Sequence, residues 1–157
     1  PLSFEKNMPY KLSRRSKNNL VGVVPGLVRV IERSIEITEI DFGVIAGMRT
    51  IEEQEALFKS GASKTMNSNH LTGHAVDLMA YIGSRASWEL NLYDNIADAV
   101  KAAAIEVGFA VRWGGSWTTP DIRTYEGTME GAMNDYIDLR RSQGRRPFID
   151  GPHFESA

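Results

Sequence analysis

The chain has 157 residues, 42% hydrophobic and 24% charged, which is enough to bury one apolar core and ordinary for a globular protein. Its net charge of −2 argues against a nucleic-acid binder, which would carry a basic excess. It contains no cysteine, so disulfides and thiolate metal ligands are both excluded.

Residues 1–18 are polar, with Lys6, Lys11, Arg14, Arg15 and Lys17 and no apolar run behind them. They read as a loosely packed arm, not as a secretory signal or a membrane span. Ser13, Ser16 or Asn18 is suited to capping something short. Pro25 opens the first helix, at a position where a missing N–H costs nothing, and Leu27, Val28, Ile31 and Ile35 recur at helical spacing to about residue 37. Residues 41–48, with Phe42, Val44 and Ile45, read as a buried strand ending at Gly47. Thr50-x-x-Glu53 is a capping box that starts a second helix, with Leu57 and Phe58 expected toward the core and Gly61 as its stop. Arg49 therefore stands at a strand-to-helix junction, from which a side chain can reach into a cleft. Residues 62–69 are small and polar and form a loop.

A strand over 75–82 follows, then a turn at Gly83-Ser84 and a third helix over about 93–107 that Gly108 ends. Residues 109–113 read as another strand, broken by Gly114-Gly115. Within 118–146, Met129, Met133, Tyr136, Ile137 and Arg140 predict an amphipathic helix of about four turns. Arg140, Arg141, Arg145 and Arg146 form a basic cluster at its end, where cations complement the helix dipole. Helices alternating with short strands predict an α+β fold, a small central antiparallel sheet flanked by helices.

The chain holds three histidines. His70 and His74 fall in the run Ser68-Asn69-His70-Leu71-Thr72-Gly73-His74-Ala75-Val76-Asp77, and His153 lies in Asp150-Gly151-Pro152-His153-Phe154-Glu155. His70, Asp77 and His153 supply two nitrogens and one carboxylate oxygen, a three-ligand zinc set that leaves a fourth position for water. His70 and Asp77 are an odd number of positions apart, so a straight strand would point them to opposite faces. A bend through Leu71-Thr72-Gly73 lets them converge, and beyond it Asp77 faces a cleft while Val76 and Leu78 face the core. His74 as a fourth ligand would close the site; the strand reading turns it away from Asp77, as a packed or supporting histidine. Asp150, one turn from His153 through Gly151-Pro152, is placed to act as a base in amide hydrolysis; the plainer reading is a turn residue.

Ser-x-His-x-x-Gly-x-Ala-x-Asp followed far downstream by Asp-x-x-His resembles the VanY-like, D-alanyl-D-alanine carboxypeptidase-type zinc peptidases. Within that group the likeness is strongest to the bacteriophage endolysins that are L-alanyl-D-glutamate peptidases. Arg49-Thr50 with Gln54, Gly61-Ala62-Ser63, the run 67–78 and Trp113-Gly114-Gly115-x-Trp117 extend it over about 20–117 and 148–155. The resemblance implies a hedgehog/DD-peptidase-like fold in one catalytic domain over 1–157, with 118–146 as an insertion, and one Zn2+ per chain. It implies Asp150 as general base and Arg49 as the group that steadies the oxyanion or a substrate carboxylate. Ser68 matches a serine that borders the substrate, and Gln54 and Trp113 are candidates to line the cleft. One departure is Ser116, where relatives commonly carry an acid.

The implied activity is hydrolysis of the L-alanyl-D-glutamate bond in bacterial peptidoglycan stem peptides, lysing the cell. The expected enzyme is a monomer with no nucleic-acid or membrane partner. It waits in the host cytoplasm until a separate membrane protein releases it to the wall. The arginine cluster then has a second reading, as a contact for anionic glycan or wall polymer. Rival readings are a D,D-carboxypeptidase or D-alanyl-D-alanine dipeptidase on the same scaffold, and a non-catalytic zinc-bearing wall-binding domain.

Overall fold

Alternating burial along 75–82 builds the central strand of the protein. In a computed structural model, which describes residues 9–157, β2 (Ala75–Ile82) pairs antiparallel with β1 (Asp41–Ala46) along one edge. Its other partners are β5 (His153–Ser156) near its start and β3 (Arg85–Ser87) near its end. β4 (Val111–Trp113) extends the sheet beyond β5, and every pairing is antiparallel. The α+β expectation with a small antiparallel sheet holds. The strand ending at Ala46 is two residues shorter than 41–48, and β3 and β5 carry no alternation long enough to be read from sequence.

The core lies between the sheet and two helices that pack on each other, α2 (Pro25–Ile37) and α4 (Leu90–Val107). Leu27, Val30, Ile31 and Ile35 of α2 share one buried cluster with Ile96, Val100 and Ala104 of α4 and with Val76, Leu78 and Phe154 of the sheet. Gly108, in the left-handed conformation at φ 78°, ends α4, which starts three residues before the predicted 93. The helix within 118–146 is α5 (Met129–Ser142), capped by Thr128 and buried through Met129, Ala132, Met133 and Tyr136. Asp98 on α4 accepts a hydrogen bond from the Met129 N–H (2.8 Å) and fixes the start of α5 against α4.

Two expectations are corrected. The arm over 1–18 is not loose throughout: residues 1–8 lie outside the described part, but α1 (Arg14–Asn19), capped by Ser13, docks on the outer edge of β1. The buried Ser16 hydroxyl accepts the Val44 N–H (2.9 Å) and Asn19 donates to the Val44 carbonyl (2.8 Å), covering a strand edge that would otherwise be unpaired. Second, α3 (Ile51–Lys59) does not turn Leu57 and Phe58 into the core. Phe58 is 47% exposed, and the buried residue of this helix is Gln54. The capping box of Thr50 and Glu53 is formed as expected, yet the helix lies outside the main cluster, so its inner face meets polar neighbours.

Candidate metal centre and active site

Strand register brings the two distant motifs together. Asp77 on β2 pairs directly with His153 on β5, so their side chains project from one sheet face at cross-strand spacing. His70 reaches the same place from a short 3-10 turn, Asn69–Thr72, and not from a strand. Ser68 caps that turn by accepting the His70 N–H (3.2 Å). Gly73 then bends the chain into β2 at φ 74°, and a Cβ there would lie 2.3 Å from the Gly22 carbonyl oxygen, so glycine is needed twice over. The bend inferred from the odd spacing is therefore present.

One ligand atom from each of His70, Asp77 and His153 lies within 4.8 Å of the others. His70 Nε2 is 3.3 Å from one Asp77 oxygen and His153 Nδ1 is 3.3 Å from the other. The His70 Nδ1–H donates to the Gly47 carbonyl (2.8 Å), which leaves the Nε2 lone pair facing the group. Glu155, two residues on from His153, sits 2.7 Å from His153 Nε2 and leaves Nδ1 to face the group. Burial opposes charge on Asp77, but hydrogen bonds from His153 and His70 outweigh it and hold the carboxyl well below the usual range. Burial would likewise lower His153, but its bonds to Asp77 and Glu155 push it up to about 9. Once the His153 proton is displaced, two imidazole nitrogens and a carboxylate face inward, a donor set that fits a divalent cation.

The other predicted residues fall into two groups. Asp150 and Arg49 are at the cluster. Burial and the Asp77 charge raise the Asp150 carboxyl, against the pull of His153, His70 and Arg49. Arg49 places Nη2 3.6 Å from Asp77 and donates its backbone N–H to the His70 carbonyl (2.8 Å). Gln54 and Trp113, by contrast, do not line a cleft, because both are fully buried. Gln54 accepts from Arg49 Nη1 (2.8 Å) and donates to the Ser63 hydroxyl (2.8 Å) and the Thr65 carbonyl (2.6 Å), so it positions Arg49 and the following loop. Trp113 faces the core from β4 and donates its indole N–H to the Gly151 carbonyl (2.7 Å), bracing the turn between Asp150 and His153. His74 is exposed, with Nδ1 2.8 Å from the Thr72 hydroxyl; the turn at Gly73 sends it outward, so it is not a packed histidine. Ser116 is fully buried and its hydroxyl meets no hydrogen-bond partner among the described residues.

A family model described as phage L-alanyl-D-glutamate peptidase matches residues 8–157. The chain belongs to this family. The L-alanyl-D-glutamate peptidase of Escherichia phage T5 is 28% identical over 152 residues, covering 94% of this chain and 98% of that protein. That of Listeria phage A118 is 33% identical over 109 residues, 69% of this chain and 38% of the relative. The crystal structure of the Serratia marcescens L-Ala D-Glu endopeptidase ChiX superposes with a TM-score of 0.71 at 35% identity, covering 99% of this chain and 96% of that one.

Two side chains of this peptidase were not assigned roles from sequence. Glu155 lies on the same strand face as His153 by simple alternation, a signal available had β5 been recognised. Trp117, in the second half of the Trp-Gly-Gly-x-Trp motif, stands with its ring 5.6 Å from the His153 ring. That placement depends on a loop, and no periodicity announces it.

Proposed function

We propose that this peptidase is a zinc endopeptidase that cuts the L-alanyl-D-glutamate bond of peptidoglycan stem peptides and so lyses the bacterial cell. The observation that carries the reading is the convergence of His70, Asp77 and His153, with Asp150 and Arg49 beside them. Zinc held by those three side chains would supply the Lewis acid for attack of water on the amide. Asp150, its carboxyl raised by burial and by the Asp77 charge, takes the proton of the attacking water and passes it to the departing amine. Arg49, held by Gln54, meets the negative charge that develops on the carbonyl oxygen, a contribution of about 3 kcal/mol. Every group in this scheme comes from one chain, which supports action as a monomer. Among the described residues no helix is long and apolar enough to cross a membrane, and release from the host cytoplasm by a separate membrane protein belongs to the same reading.

Digestion of defined stem peptides followed by mass analysis tests the proposal. The expected products are a fragment ending in L-alanine and one beginning with D-glutamate, both lost on chelation and restored by zinc. Release of D-alanine or its dipeptide would move the assignment to a D,D-peptidase, and no cleavage at all would leave a binding domain.

Glu155 tests the metal assignment separately. Glu155→Ala is expected to weaken zinc binding about 10- to 100-fold, because the imidazole of His153 loses the carboxylate that orients it. Competition with a chromophoric chelator reads this without reference to activity; unchanged affinity would show that Glu155 does not support the ligand.

A further inference from the structure

Beyond the metal group, the ring of Trp117 stacks on that of Phe148 at 6.2 Å and 17°, forming a ledge that leads outward from His153. Phe148 is 51% exposed, yet its backbone is clamped: the Tyr136 hydroxyl donates to the Phe148 carbonyl and accepts its N–H, both at 3.0 Å. An apolar ring held rigid and left open to solvent is a preorganised contact surface. Cations rim it. The Arg112 guanidinium lies 5.2 Å over Trp117, the Lys64 ammonium 5.2 Å over Phe148, and the Arg140 guanidinium 5.4 Å over Tyr136. Among the described residues none of these three has a carboxylate within 4 Å, although the chain carries more acids than bases. Lys64 is not on a free loop either, since Gln54 bonds both of its neighbours, Ser63 and Thr65.

The geometry points to this ledge as a recognition site for the carboxylate-bearing part of the stem peptide on the departing side of the scissile bond, an inference that rests on the peptidase reading above. Asp150 delivers its proton to the departing amine, so that fragment leaves on the side of Asp150, and Phe148 is two residues away in the chain. The fragment begins with glutamate, which keeps one carboxylate free within a peptide. Aliphatic segments lie on the two rings while carboxylates meet the rim, where Lys64 offers its ammonium donors and Arg112, with Nε and Nη2 on the Trp117 carbonyl, offers its remaining ones.

The test uses two synthetic stem peptides that contain the L-alanyl-D-glutamyl bond. In one, the carboxylates beyond the bond are free; in the other they are primary amides. Calorimetry on the zinc-loaded Asp150→Asn variant is expected to show the free-carboxylate peptide binding about tenfold tighter than the amide. Adding the exposed substitution Lys64→Met should erase most of that difference and leave the amide peptide unaffected. Equal affinities for the two peptides, or equal weakening of both by Lys64→Met, would overturn the proposal. Turnover of the same peptides by the wild-type enzyme is the independent arm. A carboxylate preference in binding without any cleavage would sink the peptidase assignment and leave the ledge in place; cleavage with no preference would do the reverse.

Discussion

Asp150→Ala is expected to lower the rate of stem-peptide cleavage by about 10²- to 10⁴-fold, the range for loss of a positioned general acid–base group. Zinc content should stay near one per chain, because the three converging ligand atoms belong to His70, Asp77 and His153. The physical basis is the environment of the carboxyl. Burial and the neighbouring Asp77 charge raise it, and the Arg49 guanidinium is among the groups that limit the rise, so its carboxyl holds a proton more firmly than that of a free aspartate. Turnover by colorimetric amine release and zinc by atomic absorption read the two effects apart. Loss of zinc in step with activity would instead make Asp150 part of the metal cage or of its fold.

Gly114→Ala is expected to destabilise the protein by about 3 kcal/mol and to displace Asp150 and His153 together. A Cβ at 114 would lie 2.2 Å from the Asp150 carbonyl oxygen and 3.1 Å from the Asp150 Cβ. Neither chain can retreat cheaply. The Gly114 N–H donates to the His153 carbonyl (2.8 Å), and its carbonyl accepts the Asp150 N–H (2.9 Å). Urea unfolding reads the stability, and zinc affinity reads the geometry at His153. A variant with unchanged affinity and stability would show that this close approach does not hold the site.

These two residues illustrate how far a sequence reading reaches. Asp150 stands out because its type and its spacing from His153 suit proton transfer, which needs no knowledge of neighbours. Gly114 was legible only as a chain breaker, since its role depends on a segment that returns to it from 36 positions downstream. Gln54 and Trp113 show the same limit from the other side. Both were expected near the cleft, and both are buried beneath it, where they hold Arg49 and the Gly151 turn. Phe58 was expected inward on helical periodicity, but α3 has no apolar layer beneath it to receive that ring.

The amino-acid sequence by itself determined the candidate donor set, two imidazoles and a carboxylate, and the helices whose caps and periodicity are local. It also determined the need for a bend at Gly73, because alternation along an extended chain follows from backbone geometry alone. Only the tertiary structure decided that Asp77 and His153 are cross-strand partners, that Glu155 backs His153, and that Trp117 and Phe148 form a ledge beside them. Strand register and loop packing arise from contacts between residues far apart in the chain, and such contacts leave no period in the sequence to be read.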